Sequence, residues 1–551
     1  MSYGTIFSGG TTSNHGLVLS GDIVKKGSRF SALQRVADIL RLKNTLPPNP
    51  AFQMTINNSS SGFTLPLVAG QTYNFVVNWG DGSSNTITSY NQAQRTHTYA
   101  NDNSYQISIT GTMPRLQFNF SASAEKVLSI DNWGNITWNH LGRAFAGCSN
   151  LISVARGGVF GSVTNFGRAF QNCSSLTSFP LINTSSGTMF DLAWSGCTSL
   201  TSFPCIDTGN ATSMYATWNS CTSLTSFPLI NTSGLPILNA TWANCYSLTS
   251  FPLINTSSCT SLQSTWASCI GLTSFPLINT SNVTSFNQTW QACTGLTSFP
   301  LINTGSAISM DYTWENCSNL ISFPLINAVN CTSFQATWRD CISLTSFPSI
   351  SINTSVDVIF SAVFNRCSSL ASVGALNLSK ATVDLIECFK DCPLLSSVSV
   401  TGIIKSVSFA NSSLSASSIN TIFSNLGTVS LSSKTIYVFG NTGSLTCDTS
   451  IATSKGWIVK TVIMDAPVLS APSTVSSPNT YTISWNIIFM AVNYEIFISE
   501  DNITWDSFYI TPSLSYAMDY YDCVGGYHKV RAIDNNNVVG SFSNVKRVIH
   551  N

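Results

Sequence analysis

The sequence predicts a multidomain protein in which a solenoid, built from repeats of one β-strand plus one short helix, is flanked by two β-sandwich domains. Two observations support this prediction. Residues 173–345 repeat one pattern with a period of 24 residues, and the segments on either side alternate apolar and polar residues as strands do. At 551 residues the chain is long enough for several hydrophobic cores.

Residues 1–50 are predicted to form an N-terminal attachment segment. A Gly-rich stretch leads to residues 31–42, in which apolar side chains fall at helical spacing. The Pro-rich residues 46–50 then require an extended linker. Two interpretations of the short helix stay open: it packs on this chain, or it docks on another protein.

Residues 51–125 are predicted to form the first β-sandwich. Two motifs, Trp79-Gly80-Asp81-Gly82 and His97-Thr98-Tyr99, resemble those of the PKD family of small β-sandwiches. This resemblance implies a sandwich with aromatic side chains in its core. Asp81 beside glycine is interpreted as a turn residue rather than a calcium ligand, because no second carboxylate is near it in the sequence.

Residues 126–463 are predicted to form the solenoid with its caps. Within it, cysteines recur every 24 residues, and an aromatic residue stands three positions before each of them. We expect these two columns to stack as a structural ladder, because each repeat of a solenoid is buried only against its neighbours. The ladder residues are Trp194, Trp218, Trp242, Trp266, Trp290, Trp314, Trp338, Cys197, Cys221, Cys245, Cys269, Cys293, Cys317 and Cys341.

Each repeat has two predicted elements. Met214, Trp218 and Cys221 have the i, i+4, i+7 spacing of a short helix, and residues 224–230 follow as an extended segment. The recurring sequence patterns A-F-x-x-C and L-x-x-F-P resemble the BspA-type leucine-rich repeats of bacterial surface proteins, with Trp where Phe usually stands. This resemblance covers about half of the chain and implies a leucine-rich-repeat fold.

The repeated cysteines are interpreted as buried free thiols. Equivalent cysteines of stacked repeats would lie roughly 5 Å apart with parallel Cβ vectors, whereas a disulfide needs converging vectors. No CxxC pair or histidine accompanies them, so we predict no metal site and no cofactor.

A column of asparagines marks the end of each extended segment. Several are followed by Thr-Ser and so match glycosylation sequons, but we expect a structural role, in which each side chain hydrogen-bonds the backbone of the neighbouring coil. The column consists of Asn183, Asn231, Asn255, Asn279, Asn303 and Asn327.

Two further columns vary from repeat to repeat and are predicted to lie off the buried face. They flank the aromatic column, three residues before it and one residue after it. Their large polar residues form a candidate binding strip, with plain solvated surface as the alternative. The strip consists of Asp191, Tyr215, Asn239, Gln263, Asn287, Asp311, Gln335, Glu315 and Arg339.

Residues 464–551 are predicted to form the second β-sandwich. Trp485, Tyr494–Phe497, Tyr527–Ala532 and Gly540–Ser543 resemble the B, C, F and G strands of a fibronectin type III domain. Before this domain the repeat becomes irregular from Cys367 onward, which predicts a C-terminal cap of the solenoid.

The composition argues against several classes of partner. Net charge is +0 and 9% of residues are charged, which argues against nucleic acid and membrane partners. No catalytic residues are assigned: Asp311 and Glu315 flank Trp314 as the acids of a glycoside hydrolase flank an aromatic, but a short exposed helix has no cleft to separate their pKa values.

The predicted architecture suits display and adhesion. The first ten residues lack the basic and apolar regions of a secretory signal, and no transmembrane stretch occurs. We therefore expect a non-enzymatic virion surface protein, a bacteriophage fibre or decoration protein. It would contact other virion proteins through its N-terminal segment and a host protein or glycan through its solenoid, with homo-oligomerisation left open. The alternatives are a bacterial cell-surface adhesin in the extracellular space and a carbohydrate-active enzyme.

Overall fold

The computed structural model describes residues 51–58, 62–430 and 433–461, together with separate segments between residues 469 and 550. The attachment segment predicted at residues 1–50 lies outside the described residues. Within the described part of the chain, no helix has the length and apolar character required to cross a bilayer.

The N-terminal strands form one large sheet that runs directly into the solenoid. Its strand order is β4-β3-β6-β1-β7-β8, while β2 and β5 pair separately. The pairs within the large sheet are antiparallel, except that β7 and β8 are parallel, as the coils of the solenoid are. The sheet therefore crosses the boundary predicted between residues 125 and 126. The strands are β1 Phe52–Asn58, β2 Phe63–Thr64, β3 Asn74–Asn78, β4 Ser84–Ile87, β5 Thr96–His97, β6 Asn103–Thr112, β7 Val127–Asn132 and β8 Ser153–Val154, with 3-10 turns at Ala93–Arg95 and Ala124–Lys126.

The motifs Trp79-Gly80-Asp81-Gly82 and His97-Thr98-Tyr99 contact one another. The Asp81 carboxylate accepts hydrogen bonds from the backbone N–H of Ser83 at 2.9 Å and lies 2.6 Å from Nε2 of His97. The His97 ring stacks on Trp79 at a centroid distance of 5.0 Å, and the Tyr99 hydroxyl donates to the Trp79 carbonyl. The interpretation of Asp81 as a turn residue is confirmed, since both neighbouring glycines have positive φ.

Residues 127–460 wind into a solenoid of about 14 turns. Its coils are connected by parallel bridges at a spacing of 24 residues, as between Ser261 and Ser285, and regular strands appear chiefly towards its C-terminal end. The later elements are β9 Asn327–Ala328, β10 Ser346–Phe347, β11 Ser351–Ile352, β12 Ser372–Asn377, β13 Ser397–Thr401, β14 Val407–Ser408, α1 Ala416–Asn425, β15 Lys434–Tyr437, α2 Ser450–Thr453 and β16 Trp457–Lys460.

The short helix predicted in each repeat is wrong for the described coils. In its place stand consecutive turns in which two residues per coil have left-handed φ, for example Ala216 at 52° and Ser220 at 62°. The backbone amides of this segment form two kinds of hydrogen bond. Some bond within their own coil, as the Cys221 N–H does to the Trp218 carbonyl, and others bond to the next coil, as the Trp218 N–H does to the Thr241 carbonyl. The tryptophan rings of neighbouring coils lie only 5.6–5.8 Å apart, whereas stacked helices with their side chains need about 10 Å each.

The predicted aromatic and cysteine ladder is confirmed as the core. The seven tryptophan rings are fully buried and stack at centroid distances of 5.6–5.8 Å with nearly parallel planes. A second column of phenylalanines packs edge-on against them, as Phe275 does against Trp266 at 4.8 Å. The ladder cysteines are free and buried, and each thiol donates to the carbonyl of the preceding coil's aromatic residue, as Cys221 does to Trp194 at 3.2 Å.

The predicted role of the asparagine column is wrong in its detail. The Asn231 side chain accepts a hydrogen bond at 3.1 Å from the backbone N–H of Ser233, two residues on in the same coil, and the other members bond in the same way. Connection between coils comes instead from the neighbouring threonine, since Thr232 Oγ1 donates to the Asn255 carbonyl at 2.5 Å. A short amide side chain reaches its own turn more readily than the next coil.

The C-terminal strands form two main antiparallel sets and one separate parallel pair, β18 with β26. One sheet has the order β17-β19-β22 and another β21-β20-β23-β24, with β25 beside β23 and β18 beside β26. The strands are β17 Leu469–Ser470, β18 Thr474–Val475, β19 Tyr481–Trp485, β20 Ala491–Ser499, β21 Asp506–Thr511, β22 Ser515–Met518, β23 Tyr527–Asp534, β24 Val539–Phe542, β25 Lys546–Arg547 and β26 Ile549–His550.

Candidate binding site

The first column of the predicted strip is partly used to hold coils together. Oδ1 of Asp191 accepts hydrogen bonds from the Ser213 hydroxyl and, at 3.0 Å, from the backbone N–H of Tyr215 in the next coil. Asn239 accepts from Ser261 at 2.8 Å in the equivalent way, as do Asn287 and Asp311 from their own serine partners. Three members, Tyr215, Gln263 and Gln335, are exposed. Some residues of the column therefore connect neighbouring coils, and others are free to contact solvent or a ligand.

The second column contains a buried charged cluster. Glu315 is 6% exposed, forms an ion pair with Arg339 and accepts a hydrogen bond at 2.5 Å from the Gln291 amide. The Arg339 guanidinium also lies 5.7 Å from the centre of the Tyr312 ring and 3.8 Å from the carboxylate of Asp340. Glu315 is therefore a structural residue of the solenoid flank.

The proposed acid pair Asp311 and Glu315 is not arranged for hydrolysis. Asp311 is bound by the Ser333 hydroxyl at 2.5 Å and the Gln335 N–H at 2.9 Å, whereas Glu315 is neutralised by Arg339. Neither carboxylate lines the pocket described next. Within the described chain, no group of three or more His, Cys, Asp or Glu side chains is placed to hold a metal ion.

A pocket of about 400 Å³ lies on the same flank, where the N-terminal sheet meets the first coils. Two residues of the predicted strip, Asp191 and Tyr215, line its C-terminal side. Met189 and Leu192 come from the same coil as Asp191, and the remainder of the lining comes from the preceding two coils and from residues just after β6. The strip prediction therefore identified one side of this pocket and missed the other.

The strip column contains glycine in the first two coils, and both glycines line the pocket. Gly142 and Gly167 occupy the positions at which Asp191 and Tyr215 stand in the next two coils. A Cβ at Gly167 would lie 3.1 Å from Oδ1 of Asn165 and 3.5 Å from the sulfur of Met189, both of which line the pocket. A larger side chain there would project into the space that the pocket now provides.

Polar side chains two residues earlier fix the backbone at these glycines. The Gly142 N–H donates to Nδ1 of His140 at 2.8 Å, and the Gly167 N–H donates to Oδ1 of Asn165 at 2.8 Å. Since Nδ1 of His140 accepts, the neutral imidazole carries its proton on Nε2. Burial lowers the pKa of His140, and the positive charge of Arg115 lowers it further.

Three arginines line the pocket. Arg143 and Arg168 occupy the same position in adjacent coils, two residues before Phe145 and Phe170, whose rings stack 5.4 Å apart. Arg115 joins them from the segment after β6, and its guanidinium donates to Oε1 of Gln117 at 3.1 Å. Within the described part of the chain, none of these three guanidinium groups forms an ion pair, and Nε of Arg115 is buried without a hydrogen-bond partner.

The position of Arg143 and Arg168 has an unusual backbone. Both have left-handed φ, 61° and 58°, and the equivalent residues of four later coils are alanines with φ between 51° and 55°. A left-handed backbone is more easily adopted by Gly or Asn than by Arg, so backbone geometry does not explain the choice of arginine here. The sequence signal that could have revealed the pocket was the Gly-Arg pair found at the same position of two adjacent repeats, Gly142-Arg143 and Gly167-Arg168.

A second exposed column lies elsewhere on the coils. Leu253, Leu277, Leu301 and Leu325 are each 60–62% exposed at equivalent positions of four successive coils. Isolated apolar side chains are common on protein surfaces, but an exposed leucine repeated in four successive coils is a regular feature of the rod.

No known protein-family model matches the chain, and no curated protein matches it in sequence. Among solved structures it is similar to the chain described as "Crystal structure of TLR13-ssRNA13 complex", with 12% sequence identity and a TM-score of 0.21. The match covers 64% of this chain and 52% of that chain, so this chain spans about half the length of that protein. The binding site is accordingly interpreted from the geometry of this chain alone.

Proposed function

We propose that this protein is a non-enzymatic surface protein that binds a host protein or glycan through the flank of its solenoid. The observation that supports this most is a rod of coils whose outer side chains recur at coil spacing, with a pocket at one end of the same flank. Regular spacing along a rigid axis suits contacts with extended or repetitive partners. The carboxylates of the proposed hydrolytic pair are bound to protein groups, which favours binding over catalysis.

The fold assignment that accompanies this proposal is a BspA-type leucine-rich-repeat solenoid between a PKD-like and a fibronectin type III-like sandwich. The contact between Asp81 and His97 supports the first sandwich. For the second sandwich, the set β21-β20-β23-β24 supports the proposal because the predicted C, F and G strands, β20, β23 and β24, are neighbours in it. The predicted B strand, β19, lies in the other set.

We propose a virion as the location, with the N-terminal segment contacting other virion proteins. Immunogold labelling of a native culture with an antibody against the solenoid tests this directly. Gold on phage particles is the expected result, and labelling of the head or the tail would separate decoration from host recognition. Gold confined to cell envelopes would contradict the virion proposal and identify a bacterial adhesin.

A further inference from the structure

We propose that the pocket beside Arg115, Arg143 and Arg168 binds an acidic saccharide, through the carboxylate and hydroxyl groups of one sugar residue. This inference rests on the proposed binding function and specifies the chemical class of its ligand. It is independent of whether the protein belongs to a virion or to a cell envelope.

The side of the pocket that is lined by arginines favours binding of an anionic group. Arg143 and Arg168 stand in adjacent stacked coils, so two like charges are held at neighbouring positions, and no carboxylate of the described chain pairs with either one. Like charges this close repel each other, and a bound anion would remove that repulsion. Guanidinium groups bind carboxylates through two parallel hydrogen bonds, which gives geometric selectivity as well as affinity.

The opposite side of the pocket favours binding of hydroxyl groups. Asp191 uses Oδ1 for Ser213 and Tyr215, while Oδ2 has no hydrogen-bond partner within the described chain and can accept from a ligand. A carboxylate repels a bare anion, but it is a good acceptor for the hydroxyls of a sugar. An anion that also carries hydroxyls therefore fits the pocket better than an inorganic anion does.

The size and the apolar surfaces of the pocket agree with a sugar ring. Its volume of about 400 Å³ lies within the range of small-ligand sites. Tyr215, 52% exposed, and Met189, 41% exposed, provide apolar surface at the edge of the pocket. Gly167 adds no side chain to this space, whereas the space beside Gly142 is occupied by the His140 ring, whose Cε1 would clash with a Cβ at that position.

Binding of four small probes to the purified full-length chain tests this inference, with affinities measured by titration calorimetry or ligand-observed NMR. The probes are methyl glucuronide, methyl glucoside, glucose 6-phosphate and acetate. We expect methyl glucuronide to bind about tenfold or more tightly than methyl glucoside, which lacks the carboxylate, and than acetate, which lacks the hydroxyls. Tighter binding of glucose 6-phosphate would overturn the carboxylate assignment in favour of a phosphorylated sugar.

Two variants locate the binding to the pocket. The double substitution Arg143→Ala and Arg168→Ala should weaken methyl glucuronide binding about tenfold or more, and it should fold because alanine already occupies this position in four other coils. Gly167→Asn, which places in this coil the residue found at Asn239, should block the pocket while keeping all three arginines. Arg156→Ala removes an exposed arginine outside the pocket and should leave the affinity unchanged.

The outcomes separate this inference from the proposed function. Equal affinities for methyl glucuronide and methyl glucoside, no binding of either, or an unaltered affinity in the double variant would each overturn the acidic-saccharide site. Surface labelling with gold would still support the surface function in those cases. Conversely, arginine-dependent binding of methyl glucuronide without surface labelling would support the site and contradict the proposed location.

Discussion

The hydrogen bonds of single charged residues distinguish structural from binding roles in this protein, and Asp191 combines the two, since its Oδ1 accepts from the next coil while its Oδ2 has no partner within the described chain. Asp81 is bound by Ser83 and His97, and Glu315 by Arg339 and Gln291, so both carboxylates serve the fold. Arg143 and Arg168 have no such partner within the described residues. Because these two arginines also line a pocket, their guanidinium groups are available to an external ligand.

The Asp81 carboxylate predicts a pH dependence of stability. Burial alone would raise its pKa, but the hydrogen bonds from Ser83 and the interactions with His97 outweigh burial and lower the pKa from 3.8 to about 2. Because the folded state binds the proton more weakly, the stabilisation is complete above pH 3.8 and is lost as the pH falls towards 2. We expect the melting temperature, measured by calorimetry, to fall more steeply over this range in the wild type than in Asp81→Asn. Parallel curves would contradict this role.

At the scale of the element, each coil is held by its aromatic ladder and by hydrogen bonds to its neighbours. Trp266 stacks on Trp242 and Trp290 at 5.8 Å and packs edge-on against Phe275. Its indole N–H is buried without a hydrogen-bond acceptor, as in the other six tryptophans of the ladder. Phenylalanine fills the same column at Phe170 and Phe364, where the ladder nears its ends.

Substitutions at Trp266 should therefore differ strongly in how far they lower the free energy of unfolding. Trp266→Ala should lower the free energy of unfolding by about 3–5 kcal/mol, because it leaves a large cavity between two coils. Trp266→Phe should cost less than half as much, since it retains a stacked ring and removes a buried N–H that lacks a partner. Urea unfolding of both variants measures the two values. An unchanged unfolding midpoint for Trp266→Ala would show that this column does not stabilise the solenoid.

At the scale of the whole molecule, the N-terminal sheet and the solenoid form one continuous structure. β7 pairs with β1 on one side and with β8 on the other, so the sheet covers the open edge of the first coil. Exposed strand edges promote association with other chains, and covering them protects the rod. The same junction brings Arg115 beside the first two coils and so completes the pocket.

A solenoid with a constant period should tolerate the removal of one whole coil. Deletion of residues 246–269, one period, lets each remaining coil meet a neighbour with the same columns, so we expect a folded protein with a slightly lower melting temperature. Deletion of residues 246–257, half a period, places polar residues opposite the aromatic column and should abolish cooperative unfolding. Circular dichroism during heating distinguishes the two. Equal disruption by both deletions would contradict the nearest-neighbour description.

The sequence by itself determined the period, the columns and the free thiols, because stacking at a fixed spacing brings residues 24 positions apart into contact. It did not determine the conformation of the segment around Trp218. The i, i+4, i+7 spacing is shared by a helix and by the consecutive turns found here, and only the close stacking of the coils decides between them. The pocket likewise depended on the tertiary structure. Arg115 is remote in sequence from Arg143 and Arg168, and only the pairing of β7 with both β1 and β8 brings the N-terminal sheet against the first coils.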